Sequence, residues 1–177
     1  MKLAAVIVVL AVLVTGAGCT RIKSYVVKPP GATATLLPAS GSDVRGTIRF
    51  ATKDALIEVS GRITGLTPGA HGLHIHEKGN CSAPDASSAG PHFDPDKGRH
   101  AGPHDATRHA GDLGNIEADA DGVADFRIEV AGLSLKPAAN SIIGRSVIIH
   151  ADPDDLATQP SGNSGKRIGC GLISKDP

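Results

Sequence analysis

LGNIEADADGVADFRIEV, residues 113–130, is the stretch that decides the fold. Leu113–Ala118 and Val123–Val130 are short β-like runs, and Asp121-Gly122 between them reads as a tight hairpin. Working outward, the same texture recurs in Ala32–Leu37, Arg45–Ala51, Leu56–Ile63, His71–His76, Ile142–His150 and Ile168–Ile173. Eight short strands separated by turn signals, with no helical period, predict an all-β sandwich or barrel. The 22 Gly and 12 Pro among 177 residues fit a turn-rich fold. There is no internal repeat.

The core must be aliphatic. Apolar residues make up 40% of the chain, yet there is no Trp, one Tyr and three Phe, so Val, Ile, Leu and Ala do the packing. Lys and Arg balance Asp and Glu at 18 each, which gives no sign of a nucleic-acid partner.

The first 31 residues read as targeting and tether. Met1 and Lys2 precede an apolar run, Leu3–Val14, too short to span a bilayer comfortably, and Thr15-Gly16-Ala17-Gly18 provides a small-residue exit. Cys19 after Gly-Ala-Gly resembles the lipobox of bacterial lipoproteins, although Gly16 stands where that motif usually has Leu. This reading makes 1–18 a signal peptide, 19–31 a tether with a lipid anchor at Cys19, and 32–177 the functional domain. The expected location is the cell envelope, on a periplasmic or extracytoplasmic membrane face. If lipid takes Cys19, Cys81 and Cys170 remain as a pair, suited to an oxidising compartment.

Two long segments, Glu77–Gly111 and Ala151–Arg167, carry no strand pattern, and loops of that length are usually functional or disordered. The first holds four of the eight His. His74 and His76 lie two apart on a predicted strand, so both rings share a face. His92, His100 and His109 follow, with Asp112 three residues after the last, and His150 closes a strand at an end where it can join the pair. Imidazoles with one carboxylate suit zinc or copper, not calcium or magnesium.

Gly72–Glu77, Ala89–Phe93, His109–Asn115 and Gly169–Gly171 resemble, in order, the motifs of the copper,zinc superoxide dismutase family, over about Ala32 to Ile173. The resemblance implies an immunoglobulin-like, eight-stranded antiparallel Greek-key barrel or sandwich with two long functional loops. It further implies copper on His74, His76, His92 and His150, zinc on His92, His100, His109 and Asp112, and His92 as the shared bridge. Arg167 resembles the arginine that holds superoxide beside copper, and Asp154 the carboxylate that links His74 to His100. His71 and His104 match no ligand position. The implied activity is dismutation of superoxide, protecting the envelope from oxidative damage.

Two departures stand out. Ala157–Lys166 is short and carries only Lys166 as a charge, so anion steering is expected to be weak there or to come from Lys97 or Arg99. Lys78 and Lys175 replace apolar residues of the eukaryotic dimer face, although Ile142–Arg145 resembles it, which favours a monomer or a different dimer. A non-enzymatic envelope metal-binding protein, and a domain whose metal serves only stability, remain alternatives on the residues alone.

Overall fold

The computed structural model describes residues 31–177. The apolar run, Cys19 and nearly all of the tether lie outside the described residues. The strands are β1 (Gly31–Pro38), β2 (Arg45–Lys53), β3 (Leu56–Thr64), β4 (Gly69–His76), β5 (Asp112–Ala118), β6 (Ala124–Val130), β7 (Ser146–His150), β8 (Arg167–Leu172) and the short β9 (Ser174–Lys175). All pair antiparallel, in the order β5-β4-β7-β8-β1-β2-β3-β6, with β9 on β1. This is a nearly closed Greek-key barrel of eight main strands. The only helical turn among the described residues is the 3₁₀ turn Ser87–Ala89.

The predicted Asp121-Gly122 hairpin is corrected. The turn exists: Gly122 N–H donates to Asp119 O (3.0 Å), and Asp119 Oδ1 accepts from the N–H groups of Asp121 and Val123. One backbone bond closes it, Asp119 N–H to Val123 O (2.9 Å), but no ladder continues, because β5 pairs with β4 and β6 with β3 at opposite ends of the sheet path. The turn also binds across the barrel end, where Gly122 O accepts from Leu66 N–H (3.2 Å). The strand predicted from Ile142 begins only at Ser146, since Gly144 takes φ 78° and Ile142–Arg145 closes a turn that bonds to Ile173.

The core is aliphatic as composition requires, with Leu36, Ile48, Ile63, Leu73, Ile75, Leu113, Ile149 and Ile173 around Phe50. On β6 the outward Asp125, Arg127 and Glu129 alternate with inward Ala124, Phe126, Ile128 and Val130. β4 departs from that half-buried pattern, because His71 to His76 are buried throughout. Leu73 and Ile75 join the core, and strand alternation sends His74 and His76 to the outer face under the two long loops. These two histidines therefore sit on the barrel wall, not in its interior. Cys81 and Cys170 form a disulfide with Cα atoms 5.8 Å apart, fastening the first loop to β8. Closing 89 residues in this way stabilises by about 4–5 kcal/mol on the chain-entropy model.

Candidate metal centre

Backbone pairing brings the loop ligands to β4. Glu77 N–H donates to Pro91 O (2.9 Å) and Phe93 N–H to Ile75 O (2.8 Å), which lays His92 against His76. Gly111 donates to Phe93 O (2.8 Å) and accepts from Ile75 N–H (2.9 Å), placing Asp112 beside them. His150 enters from β7, paired to β4 through Leu73↔Ile149 and His74↔Ile148. The second loop is fixed to the first at His100, whose N–H donates to Gln159 Oε1 and whose carbonyl accepts from Gln159 Nε2, both at 2.8 Å.

Two sets of ligand atoms result: His74, His76, His92 and His150 in one, His92, His100, His109 and Asp112 in the other. Within each set the donor atoms lie within 4.8 Å of one another. His92 belongs to both, its ring centroid 4.0 Å from His74, 4.9 Å from His76, 5.4 Å from His100 and 5.8 Å from His109. Its Nδ1 faces Asp112 Oδ1 at 2.7 Å.

The other nitrogens of these rings reveal what the sets hold. His76 Nδ1 donates to Gly90 O (2.8 Å). His74 Nε2 and His100 Nε2 each reach one oxygen of the buried Asp154 carboxylate at 2.8 Å. With outer nitrogens committed as donors, the inner ones carry lone pairs. His74 Nδ1, His76 Nε2, His92 Nε2, His100 Nδ1, His109 Nδ1 and His150 Nε2 are all buried without a hydrogen-bond partner. Buried polar atoms are rarely orphaned, and lone pairs that converge need a cation. Neutral imidazoles with one carboxylate fit zinc and copper.

Protonation states agree. Burial, reinforced by the charge of neighbouring imidazoles, holds His74 and His76 well below the usual histidine range and lowers His150 to about 4. Burial also lowers His92 against the opposing Asp112 bond. For Asp112, burial alone would raise the carboxyl, but the His92 bond and adjacent rings win and hold it below the usual range. His74, His76, His92 and His150 are therefore neutral and ligand-ready at pH 7. The unfolded chain takes up protons near pH 6.5, before the folded one does. Stability of metal-free protein is thus fully present above that pH and is lost as pH falls towards 4. The expected loss is about 1.4 kcal/mol per pH unit for each histidine still neutral. Thermal melts of metal-free protein between pH 7.5 and 4.5 check this, and a flat profile would contradict it.

A depression lined by His76, Pro91, His92, Pro160, Ser161, Gly165, His150 and Arg167 opens onto the first set. Arg167, at the start of β8, donates from Nη1 to Ala86 O (2.9 Å) and presents a half-buried guanidinium to that opening. Burial lowers its pKa from the ordinary arginine value, against the opposing charge of Asp85. Three supports were given no role by the sequence, although Asn115 ends the His109–Asn115 motif. Asn115 grips the Asp154 backbone in both directions (2.9 and 2.7 Å), Gln159 joins the loops, and Gly162 leaves room for the Asp154 carboxylate. His71 is buried with Nδ1 on His150 O and Nε2 on Thr67 O (both 2.8 Å), and His104 is exposed; neither joins a set.

An antiparallel barrel whose wall carries two buried ligand sets sharing one imidazole defines a two-metal protein of the copper and zinc class. The chain belongs to the copper/zinc superoxide dismutase family: residues 44–173 match the family model described as Copper/zinc superoxide dismutase (SODC). It is 45% identical over 139 residues to "Superoxide dismutase [Cu-Zn] 2" of Mesembryanthemum crystallinum, covering 75% of this chain and 88% of that one. It is 41% identical over 167 residues to the "Copper chaperone for superoxide dismutase" of Rattus norvegicus, covering 90% of this chain and 57% of that longer protein. Family membership and the two sets support an enzyme that dismutes superoxide through bound copper, with zinc as the second metal.

Proposed function

We propose that His74, His76, His92 and His150 hold copper, that His92, His100, His109 and Asp112 hold zinc, and that Arg167 captures the superoxide anion. The observation that carries this reading is the convergence of six orphaned imidazole nitrogens on two points either side of His92. The all-imidazole set suits copper, and the set that includes a carboxylate suits zinc. The depression reaches the first set, where substrate must arrive. Copper, when bound, supplies the one-electron steps by which two superoxide anions and two protons become dioxygen and hydrogen peroxide, and redox-inert zinc supplies fixed charge.

The chain's own residues do the rest. Arg167 places a cation where a small anion arrives, in a half-buried setting that strengthens the attraction. His92 can hold a proton at Nε2, beside the depression, while Nδ1 stays on the Asp112 side, so this ring is placed to deliver a proton to product. Asp154 fixes the tautomers of His74 and His100. Counting copper and zinc per chain in purified protein, alongside a dismutation assay, tests the whole reading. One of each metal with activity is expected, whereas metal-loaded protein without turnover would leave a binding protein.

Arg167→Ala is expected to bind both metals normally and to dismute about tenfold to a hundredfold more slowly at low ionic strength. A charge-assisted hydrogen bond is worth about 1.5–3 kcal/mol, and each 1.4 kcal/mol is a factor of ten. An unchanged rate at equal copper content would remove Arg167 from the site.

The same proposal extends to location. Export and acylation at Cys19 would hold the enzyme on an envelope membrane, where it would protect against superoxide. Lys78 and Lys175, both exposed, favour a monomer or a non-eukaryotic dimer. Mass spectrometry of protein from the membrane fraction should find the mature chain beginning at a lipid-modified Cys19.

A further inference from the structure

Ala83–Ala89 lies against the copper-side mouth, and its construction is more elaborate than a connection requires. Ala86 and Ala89 are fully buried and pack with Ala39, Ile148 and Cys170 around the disulfide. Pro84 O accepts from Ser40 N–H (2.7 Å), Ala89 O from Lys78 N–H (2.9 Å), and Ser88 Oγ joins Asn80 O to Ala83 N–H. Ala86 takes a left-handed backbone (φ 56°, ψ 18°), unusual for alanine, and its carbonyl is the acceptor that holds Arg167 Nη1. A segment fixed at this many points can place a neighbouring charge with little freedom.

The charge it places is Asp85, the residue preceding that carbonyl. Asp85 is exposed, and its Oδ1 accepts from Ser87 N–H at 3.0 Å, which limits where the carboxylate points. Among the residues lining the depression, Arg167 is the one arginine or lysine.

We propose that Asp85 is a positioning residue that tempers the anion affinity of Arg167, so that the mouth captures superoxide less strongly than its arginine alone would. The proposal rests on the reading of Arg167 as the anion's landing group. Asp85 on this segment and Arg167 of β8, held against it by the Ala86 carbonyl, present opposite charges to an approaching anion, weaker in reach than a lone cation. The mutual attraction also appears in titration, since Asp85 raises the pKa of Arg167 against its burial, and Arg167 adds to the hydrogen bonds from Ser87 that lower Asp85.

The test is the second-order rate for superoxide at low and high ionic strength, with copper and zinc counted in every sample. The variants are Asp85→Asn, Asp85→Glu, Arg167→Ala and Asp85→Asn/Arg167→Ala. Asp85→Asn is expected to raise the rate about twofold to threefold at low salt and to steepen its decline with salt, as a screened surface charge requires. Inhibition by inorganic phosphate should tighten by a similar factor. Asp85→Glu should match the wild type, and the gain should vanish when Arg167 is alanine. No gain in Asp85→Asn, or the same gain without Arg167, overturns the role of Asp85. A normal rate in Arg167→Ala instead overturns the reading of the arginine, so the two failures are distinct.

Discussion

His92→Ala is expected to lower dismutation per chain roughly a hundredfold or more and to weaken the binding of both metals. Every other imidazole in the two sets serves only one of them, while this ring offers Nε2 to the first and Nδ1 to the second. Losing an outer hydrogen-bond partner of a metal ligand already costs about tenfold to a hundredfold in affinity or activity, so losing a shared ligand should reach at least the upper end. The substitution also leaves Asp112 Oδ1 without its 2.7 Å partner in a fully buried place. His109→Ala should differ in kind, disturbing zinc first and copper only indirectly. His104→Ala, exposed and outside both sets, should leave copper, zinc and rate unchanged. Metal analysis with an assay on the three variants checks the pattern. Full activity of His92→Ala at normal copper occupancy would refute the bridge.

The barrel was legible because strand signals are local. β1 to β6 and β8 begin and end within about two residues of the predicted runs, since most alternate or stay apolar between turn residues. What misled was partner choice. Asp121-Gly122 specifies a turn, but whether its strands pair depends on which edges β3 and β4 leave open, and no local pattern contains that. Ile142-Ile143 reads as strand for its apolar content, while the positive φ at Gly144 is set by contacts with Ile173 far along the chain. The His-x-His pair could be read because a two-residue period needs only β4 itself. Asn115, Gln159 and the Ala86 carbonyl could not, because their roles are backbone bonds between segments remote in sequence.

Gly162→Ala is expected to weaken copper and zinc binding about tenfold to a hundredfold although residue 162 touches neither set as a ligand. Gly162 has φ 67°, and its place is fixed by its N–H on Thr158 O (2.7 Å) and its carbonyl under Asp155 N–H (2.9 Å). A methyl group there would collide with Asp154 Oδ1 and stand 2.6 Å from His100 Nε2. The carboxylate cannot step aside freely, because both oxygens are bound to imidazoles and its backbone is held by Asn115. Displacing it frees His74 and His100 to rotate or change tautomer, turning lone pairs away from the metals. Alanine in a left-handed backbone also carries a strain of about 1–2 kcal/mol, so a control must share it. Gly132→Ala does, with φ 79° and nothing within 4 Å of the added carbon. Chelator competition at pH 7 and thermal melts of metal-free protein separate the effects. Both variants should lose some stability, and only Gly162→Ala should lose metal affinity, with Asp154→Asn behaving like it. Equal metal affinity in Gly162→Ala and Gly132→Ala would mean that the Asp154 link does not govern how the two ions are held.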